Sequence, residues 1–278
     1  MRLQLCFILL HPLSTDWLLT HILIVNCQLS IVNCQLSIKM SCILNIETST
    51  SVCSVALSMD GEVLFAKASF DGPSHAALLG VFVEEALSVL KKKGKKALDA
   101  VAVSSGPGSY TGLRIGVSVA KGLCFGFGIP LIGIHTLDIM AATVNSKGDS
   151  QIVSITDDCL YCAMLDARRM EVYAAIYDAS LKPVRETRAD IVEVGTYASY
   201  LEKGKVCFFG NGASKCKSVI TSPNAIFIED IHPLAVNMIP LSEQAFAAGK
   251  FEDTAYFEPF YLKEFQATVA KNKVLLAR

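Results

Sequence analysis

The stretch LDAVAVSSGPGSYTGLRIGVSVAKGL, Leu98 to Leu123, constrains the fold more than any other part of the chain. Leu98–Ser105 is a short apolar run and reads as a buried strand. It enters a loop with glycines at 106 and 108, then a helix in which Gly112, Gly116 and Ala120 recur every fourth residue. That spacing sets all three on one helix face and makes a smooth ridge. Glycine inside a helix costs about 1 kcal/mol against alanine, a cost accepted where another backbone must come close. The unit is strand, glycine loop, helix, and it belongs to an α/β protein with a helix laid tightly on its neighbours.

The rest of the chain extends this pattern. CILNI (Cys42–Ile46), the alternating VCSVALS and EVLFAKASF read as three strands, with Asp60-Gly61 as a hairpin turn. From Ser74 to Lys93 the period becomes helical: Leu79, Phe82, Val83, Ala86 and Leu90 form one stripe, with Leu78 and Val81 apolar outside it. KKKGKK (Lys91–Lys96) closes that helix and reads as a solvated end. Ile129–Ile134 is a strand, TLDIMAATV a helix and NSKGDS (Asn145–Ser150) a linker. YCAMLDA and EVYAAIYD then flank an Arg168-Arg169 turn. A helix near Thr196–Glu202, a strand entering a glycine turn (Val206–Ala213), a strand at Asn224–Asp230 and a helix over Pro233–Lys250 follow. The order suggests two related α/β domains, 40–148 and 149–278.

The first 39 residues differ. IVNCQLS occurs twice in succession, at Ile24–Ser30 and Ile31–Ser37. Two copies of so short a unit cannot bury a core, and a secretory signal is disfavoured by His11 and Pro12 and by the lack of a small-residue cleavage site. The expected start of the protein proper is Met40, with residues 1–39 a non-native or mis-assigned extension. Without them the net charge passes from −1 to −2, through loss of Arg2, Asp16 and Lys39. Charge this near balance excludes a strongly basic nucleic-acid binder acting alone. No apolar run reaches a membrane span, and ten scattered cysteines suggest a reduced, cytoplasmic setting.

The chemistry-bearing motifs are incomplete. The glycine loop matches neither G-x-x-x-x-G-K-[ST] nor G-x-G-x-x-G, although it opens a helix whose N-terminus could attract an anion. NIETST (Asn45–Thr50) offers an acid and hydroxyls, and FGNGA (Phe209–Ala213) is a second glycine turn after a strand. Together Glu47, Thr48, Ser49, Gly106, Gly108, Ser109, Gly210 and Gly212 would be vestigial nucleotide loops. Cys159 and Cys162 form a lone C-x-x-C, read as buried thiols rather than zinc ligands. The histidines show no H-x-x-x-H spacing, and no G-x-S-x-G elbow occurs. Asp166 with Arg168 and Arg169 reads as an ion pair across a turn. No catalytic or metal constellation emerges.

Four segments, ILNIETSTSVCSVAL, SSGPGSYTGLRIGVSVAKGL, LDARRMEVYAAIYD and EPFYL (Glu258–Leu262), resemble in order and spacing the TsaB (YeaZ) family. The resemblance runs from about Met40 to Lys263. It implies two RNase H-like domains of the actin/Hsp70/sugar-kinase (ASKHA) superfamily. It also implies a role in threonylcarbamoylation of the adenosine 3′ of the anticodon in tRNAs reading A-starting codons. Members are the non-catalytic relatives of TsaD, which holds an H-x-x-x-H metal pair, and act with the ATPase TsaE. The resemblance therefore implies no cofactor on this chain, ATP and metal belonging to the partners. It implies tRNA contact through the complex, a homodimer when the chain is alone, and no membrane. The family's first-strand acid is usually aspartate; Glu47 departs from this, and its longer side chain would alter how a metal sits. By the same resemblance the first two helices dock on the paralogue or on each other, through Leu78, Val81, Phe82, Tyr110, Gly112, Leu113, Gly116 and Val117. The alternatives are an active ASKHA-type kinase or ATPase and, behind it, a glycopeptidase-like peptidase.

Overall fold

The structure is a computed structural model that describes residues 41–72, 74–94, 97–146 and 159–263. The leader through residue 39, Lys95, Lys96 and most of NSKGDS lie outside the described residues.

The described residues build two five-stranded sheets. The first holds β1 (Cys42–Glu47), β2 (Cys53–Met59), β3 (Glu62–Ser69), β4 (Ala100–Gly106) and β5 (Leu131–His135), in the order β3-β2-β1-β4-β5. The second holds β6 (Leu160–Asp166), β7 (Glu171–Tyr177), β8 (Pro183–Ile191), β9 (Val206–Phe209) and β10 (Ala225–Ile228), in the order β10-β9-β6-β7-β8. Read from opposite ends, the two orders are the same. In each, three strands meander antiparallel and two more join in parallel on the free side of the first. Asp60 (φ 53) and Gly61 (φ 81) make the β2–β3 turn, the paired left-handed geometry that two-residue hairpins require.

Among the described residues six helices pack on these sheets: α1 (His75–Lys92), α2 (Tyr110–Phe127), α3 (Thr136–Ser146), α4 (Ala198–Leu201), α5 (Ala213–Cys216) and α6 (Ala235–Ala247). β1 alternates its side chains between two buried faces, which is why it reads as a continuous apolar run. Leu44 and Ile46 meet Leu79, Phe82, Val117 and Ala120 of α1 and α2. Ile43 lies on the other face with Ile139 of α3 and Met238 of α6. The expected stripe Leu79, Phe82, Val83, Ala86, Leu90 is the buried face of α1, joined by His75. In the second sheet Cys162 and Met164 face Tyr197, Leu201 and Cys216, while Ala163 and Leu165 face Leu137, Met140 and Val144 of α3.

Two helices cross over. α3 follows the first sheet in sequence yet covers the second, and α6 follows the second yet lies on β1, β2 and β5. Glu243 of α6 fastens that contact by accepting hydrogen bonds from Ser41 Oγ (2.5 Å), Ser58 Oγ (3.0 Å) and the Gly61 amide (3.1 Å). Two elements, β8 and α5, have no counterpart in the sequence reading.

Candidate functional site

The glycine loop sits where β1 and β4, paired in parallel, end side by side. Thr48 and Ser49, just past β1, are fully buried, and the loop and α2 press directly on them. A Cβ on Gly108 would stand 2.4 Å from the Ser49 carbonyl oxygen, one on Gly112 2.1 Å from that of Thr48, and one on Gly116 2.3 Å from Thr48 Oγ1. Hydrogen bonds seal the contact: the Ser109 amide donates to Ser49 O (2.6 Å) and Thr48 Oγ1 to Gly112 O (2.8 Å). At the helix start Ser109 Oγ accepts from the Gly112 amide (3.3 Å), so the chain caps its own N-terminus.

The segment after α6 closes the loop from outside. Its Glu252 amide donates to Leu131 O (2.9 Å), and Lys121 Nζ donates to the carbonyls of Ala255 (3.0 Å) and Phe257 (3.1 Å). The Phe260 amide donates to Ser105 O (2.7 Å). A Cβ on Gly106, at φ +108, would meet Phe260 O at 2.8 Å. Arg114 lies over the Tyr110 ring and donates to Tyr261 OH (3.3 Å), and Lys263 pairs with Glu171. EPFYL thus belongs to this strap.

Glu47 is wholly buried at the end of β1. Its Oε1 accepts from the Ser49 amide (2.5 Å), and its Oε2 has no partner. Burial pushes its carboxyl up to about 7, against the opposing pull of hydrogen bonding from Ser49. It stands as a desolvated acid at the end of β1. Among the described residues no three His, Cys, Asp or Glu side chains converge on a common point. The second glycine turn is as tight: a Cβ on Gly210 would meet Met164 O at 2.4 Å, and one on Gly212 would meet the Leu165 carbonyl carbon at 2.7 Å. The glycine loop of each half presses on the end of the neighbouring strand, β1 in the first sheet and β6 in the second.

The structure brings the expected loop residues together, Glu47, Thr48, Ser49, Gly106, Gly108 and Ser109 at one end of the first sheet, and Gly210 and Gly212 at the matching end of the second. The helix residues divide. Phe82, Leu113 and Val117 are buried in this chain, and Gly112 and Gly116 face Thr48. The glycine ridge seats α2 on the end of β1, so the idea that it meets another chain directly is corrected. Val81 is 47% exposed, with Leu78 and Tyr110 partly so. Around them α1 and α2, packed side by side, turn Ala76, Ala77, Gly80, Ser118, Gly122 and Phe125 outward. None of these six was among the docking residues expected from the sequence, which placed the contact on the Gly112/Gly116 ridge and the larger apolar side chains. Asp166 pairs with Lys215 instead of the arginines beside it.

Residues 71–271 match the family model described as TsaD: tRNA N6-adenosine threonylcarbamoyltransferase. A protein of Escherichia coli (strain K12), "tRNA threonylcarbamoyladenosine biosynthesis protein TsaB", is 31% identical over 245 residues, 80% of this chain and 94% of that protein. Its namesake in Buchnera aphidicola is 27% identical over 212 residues, 74% of this chain and 93% of that one. Among solved structures, YeaZ from Pseudomonas aeruginosa aligns with a TM-score of 0.64 at 26% identity, over 80% of this chain and all (100%) of that one.

Proposed function

The chain belongs to the TsaB (YeaZ) family, and on that premise we propose that it is a non-catalytic subunit in threonylcarbamoylation of tRNA. It binds no nucleotide or metal of its own and docks on a TsaD-like paralogue through the outward face of α1 and α2. A TsaE-like ATPase joins the complex, tRNA is engaged by the assembly, and two copies of this chain use the same helix face when the paralogue is absent. The observation that carries this reading is the contrast between the two regions. The loops that would cradle a phosphate are pressed shut by glycine contacts. The paired helices, however, present the exposed small and apolar residues Ala76, Ala77, Gly80, Val81, Ser118 and Gly122, with Glu84 and Arg114 as the charges on that face. Small residues let a second pair of helices approach closely.

Val81→Glu tests it. The side chain is half exposed, so a charge there leaves the core intact while placing an unpaired carboxylate at the centre of the contact. Co-purification with the H-x-x-x-H paralogue should fall at least tenfold, with the circular dichroism spectrum and melting temperature unchanged. Unaltered capture of the paralogue by a folded variant would move the interface elsewhere.

A further inference from the structure

Cys159 and Cys207 lie outside both regions. Their Sγ atoms stand 2.8 Å apart and are buried. Cys159 immediately precedes β6 and Cys207 is the second residue of β9; these strands run parallel, with Leu160 opposite Val206 and Tyr161 opposite Cys207. Strand alternation sends Cys207 to the same side as Phe209, toward α3, while Val206 and Phe208 pack with Cys162 on the other side. The C-x-x-C of the sequence is therefore not a pair, and the partner of its first cysteine lies 48 residues on. A disulfide holds its sulfurs at about 2.05 Å, so the two strands already carry the thiols to within about 1 Å of bonding.

We propose that Cys159 and Cys207 form an oxidisable dithiol that closes to an intrachain disulfide when the protein meets a peroxide. The thiolate of Cys159 attacks one peroxide oxygen; the O–O bond breaks, and the departing hydroxide takes a proton and leaves as water. The sulfenic acid left on Cys159 is attacked by the Cys207 sulfur. The S–S bond forms as the S–O bond breaks, and that oxygen leaves as a second water with the Cys207 proton. Two thiols and one peroxide give one disulfide and two waters. The order of attack follows from the pair's own electrostatics. The hydrogen bond from Cys207, with the Lys205 ammonium nearby, draws the Cys159 thiol below its ordinary range against the effect of burial. The same hydrogen bond and burial drive Cys207 up. By contrast, burial, with Glu47 adding to it at Cys53, pushes Cys53 and Cys124 up to about 11, which leaves them thiols. Because both sulfurs are covered, oxidation waits on local opening at the start of β6. The bond, once made, staples β6 to β9, two central strands of the second sheet.

The full chain, purified reduced, is treated with a small excess of hydrogen peroxide, unfolded, alkylated and mapped by peptide mass spectrometry. The expected product is a Cys159–Cys207 linked peptide, with Cys42, Cys53, Cys124, Cys162 and Cys216 still alkylated. The oxidised protein should melt ~5 °C or more above the reduced one, reversibly on adding dithiothreitol. Cys207→Ser should accumulate a dimedone-trappable sulfenic acid on Cys159, whereas Cys159→Ser should leave Cys207 unlabelled. Two alkylatable thiols at 159 and 207 after oxidation, or links of either to Cys42, Cys53, Cys124, Cys162 or Cys216, would overturn the proposal. Should either serine variant fail to fold, the wild-type peptide map decides alone.

Discussion

Glu47 shows what one residue can and cannot reveal from sequence. An acid at the end of the first strand was legible, and so was its place beside a glycine loop. Its complete burial was not, because burial depends on what the fold packs around the end of β1, including Ser104, far along the chain, whose hydroxyl lies within its reach. The consequence is a testable pH dependence. The carboxyl titrates near 4.5 when unfolded and near 7 when folded. Between those values the native state keeps a proton that the unfolded state has released, so stability falls as pH rises. The contribution is full below about pH 4.5, is lost through pH 7 and is flat above; a shift of this size amounts to about 3 kcal/mol. Urea denaturation of the wild type and Glu47→Gln at pH 5 and pH 8 isolates it. The wild type should lose more stability than the variant across that interval, by roughly 2–3 kcal/mol. Equal losses would assign the dependence to other groups.

At the scale of elements, periodicity did well where one face alone is buried and poorly where no face is. The stripe on α1 was readable because every fourth or third position turns to the sheet. Strand β8, PVRETRADI, was not: it is an edge strand, half charged, with Arg185 and Asp190 paired to each other rather than pointing to water. The glycine ridge was legible as close packing, and its true neighbour could not be read, because sequence spacing gives a helix face without naming what the face meets. That neighbour is backbone, which makes the ridge unforgiving. Gly112→Ala would press a methyl group into the Thr48 carbonyl, whereas Gly122, ten residues on in the same helix, has nothing within 4 Å of where its Cβ would stand. We expect Gly112→Ala to cost about 2–3 kcal/mol by overpacking and Gly122→Ala to be neutral or stabilising by up to about 1 kcal/mol. Chemical denaturation of the two variants side by side measures both. A tolerated Gly112→Ala would mean that α2 can lift from β1, and the loop would then be less firmly shut than its contacts imply.

For the whole molecule, the same strand order recurs in the two sheets, each with its strand-and-glycine-turn unit. The exchange of helices between sheets was beyond the sequence, since an apolar helix face fits either sheet equally well on composition. The exchange decides how the molecule holds together. Without α6, the face of the first sheet formed by Ile43, Ala100, Ala102, Ile132 and Ile134 loses Met238 and its neighbours and keeps only the cover of Ile139 in α3. Glu243 no longer fastens Ser41, Ser58 and Gly61. The strap that seals Ser105 and Gly106 is lost with it. A fragment covering residues 40–148 should therefore fail to fold alone, although it carries the complete first sheet. Its thermal scan should show no cooperative transition and its amides no lasting protection from exchange. Supplying residues 233–263 as a second chain should restore both, because that segment carries α6 and the strap together. A lone 40–148 fragment that melts cooperatively near the temperature of the full chain would show that the first sheet needs neither, and that the crossing helices serve only to join the halves.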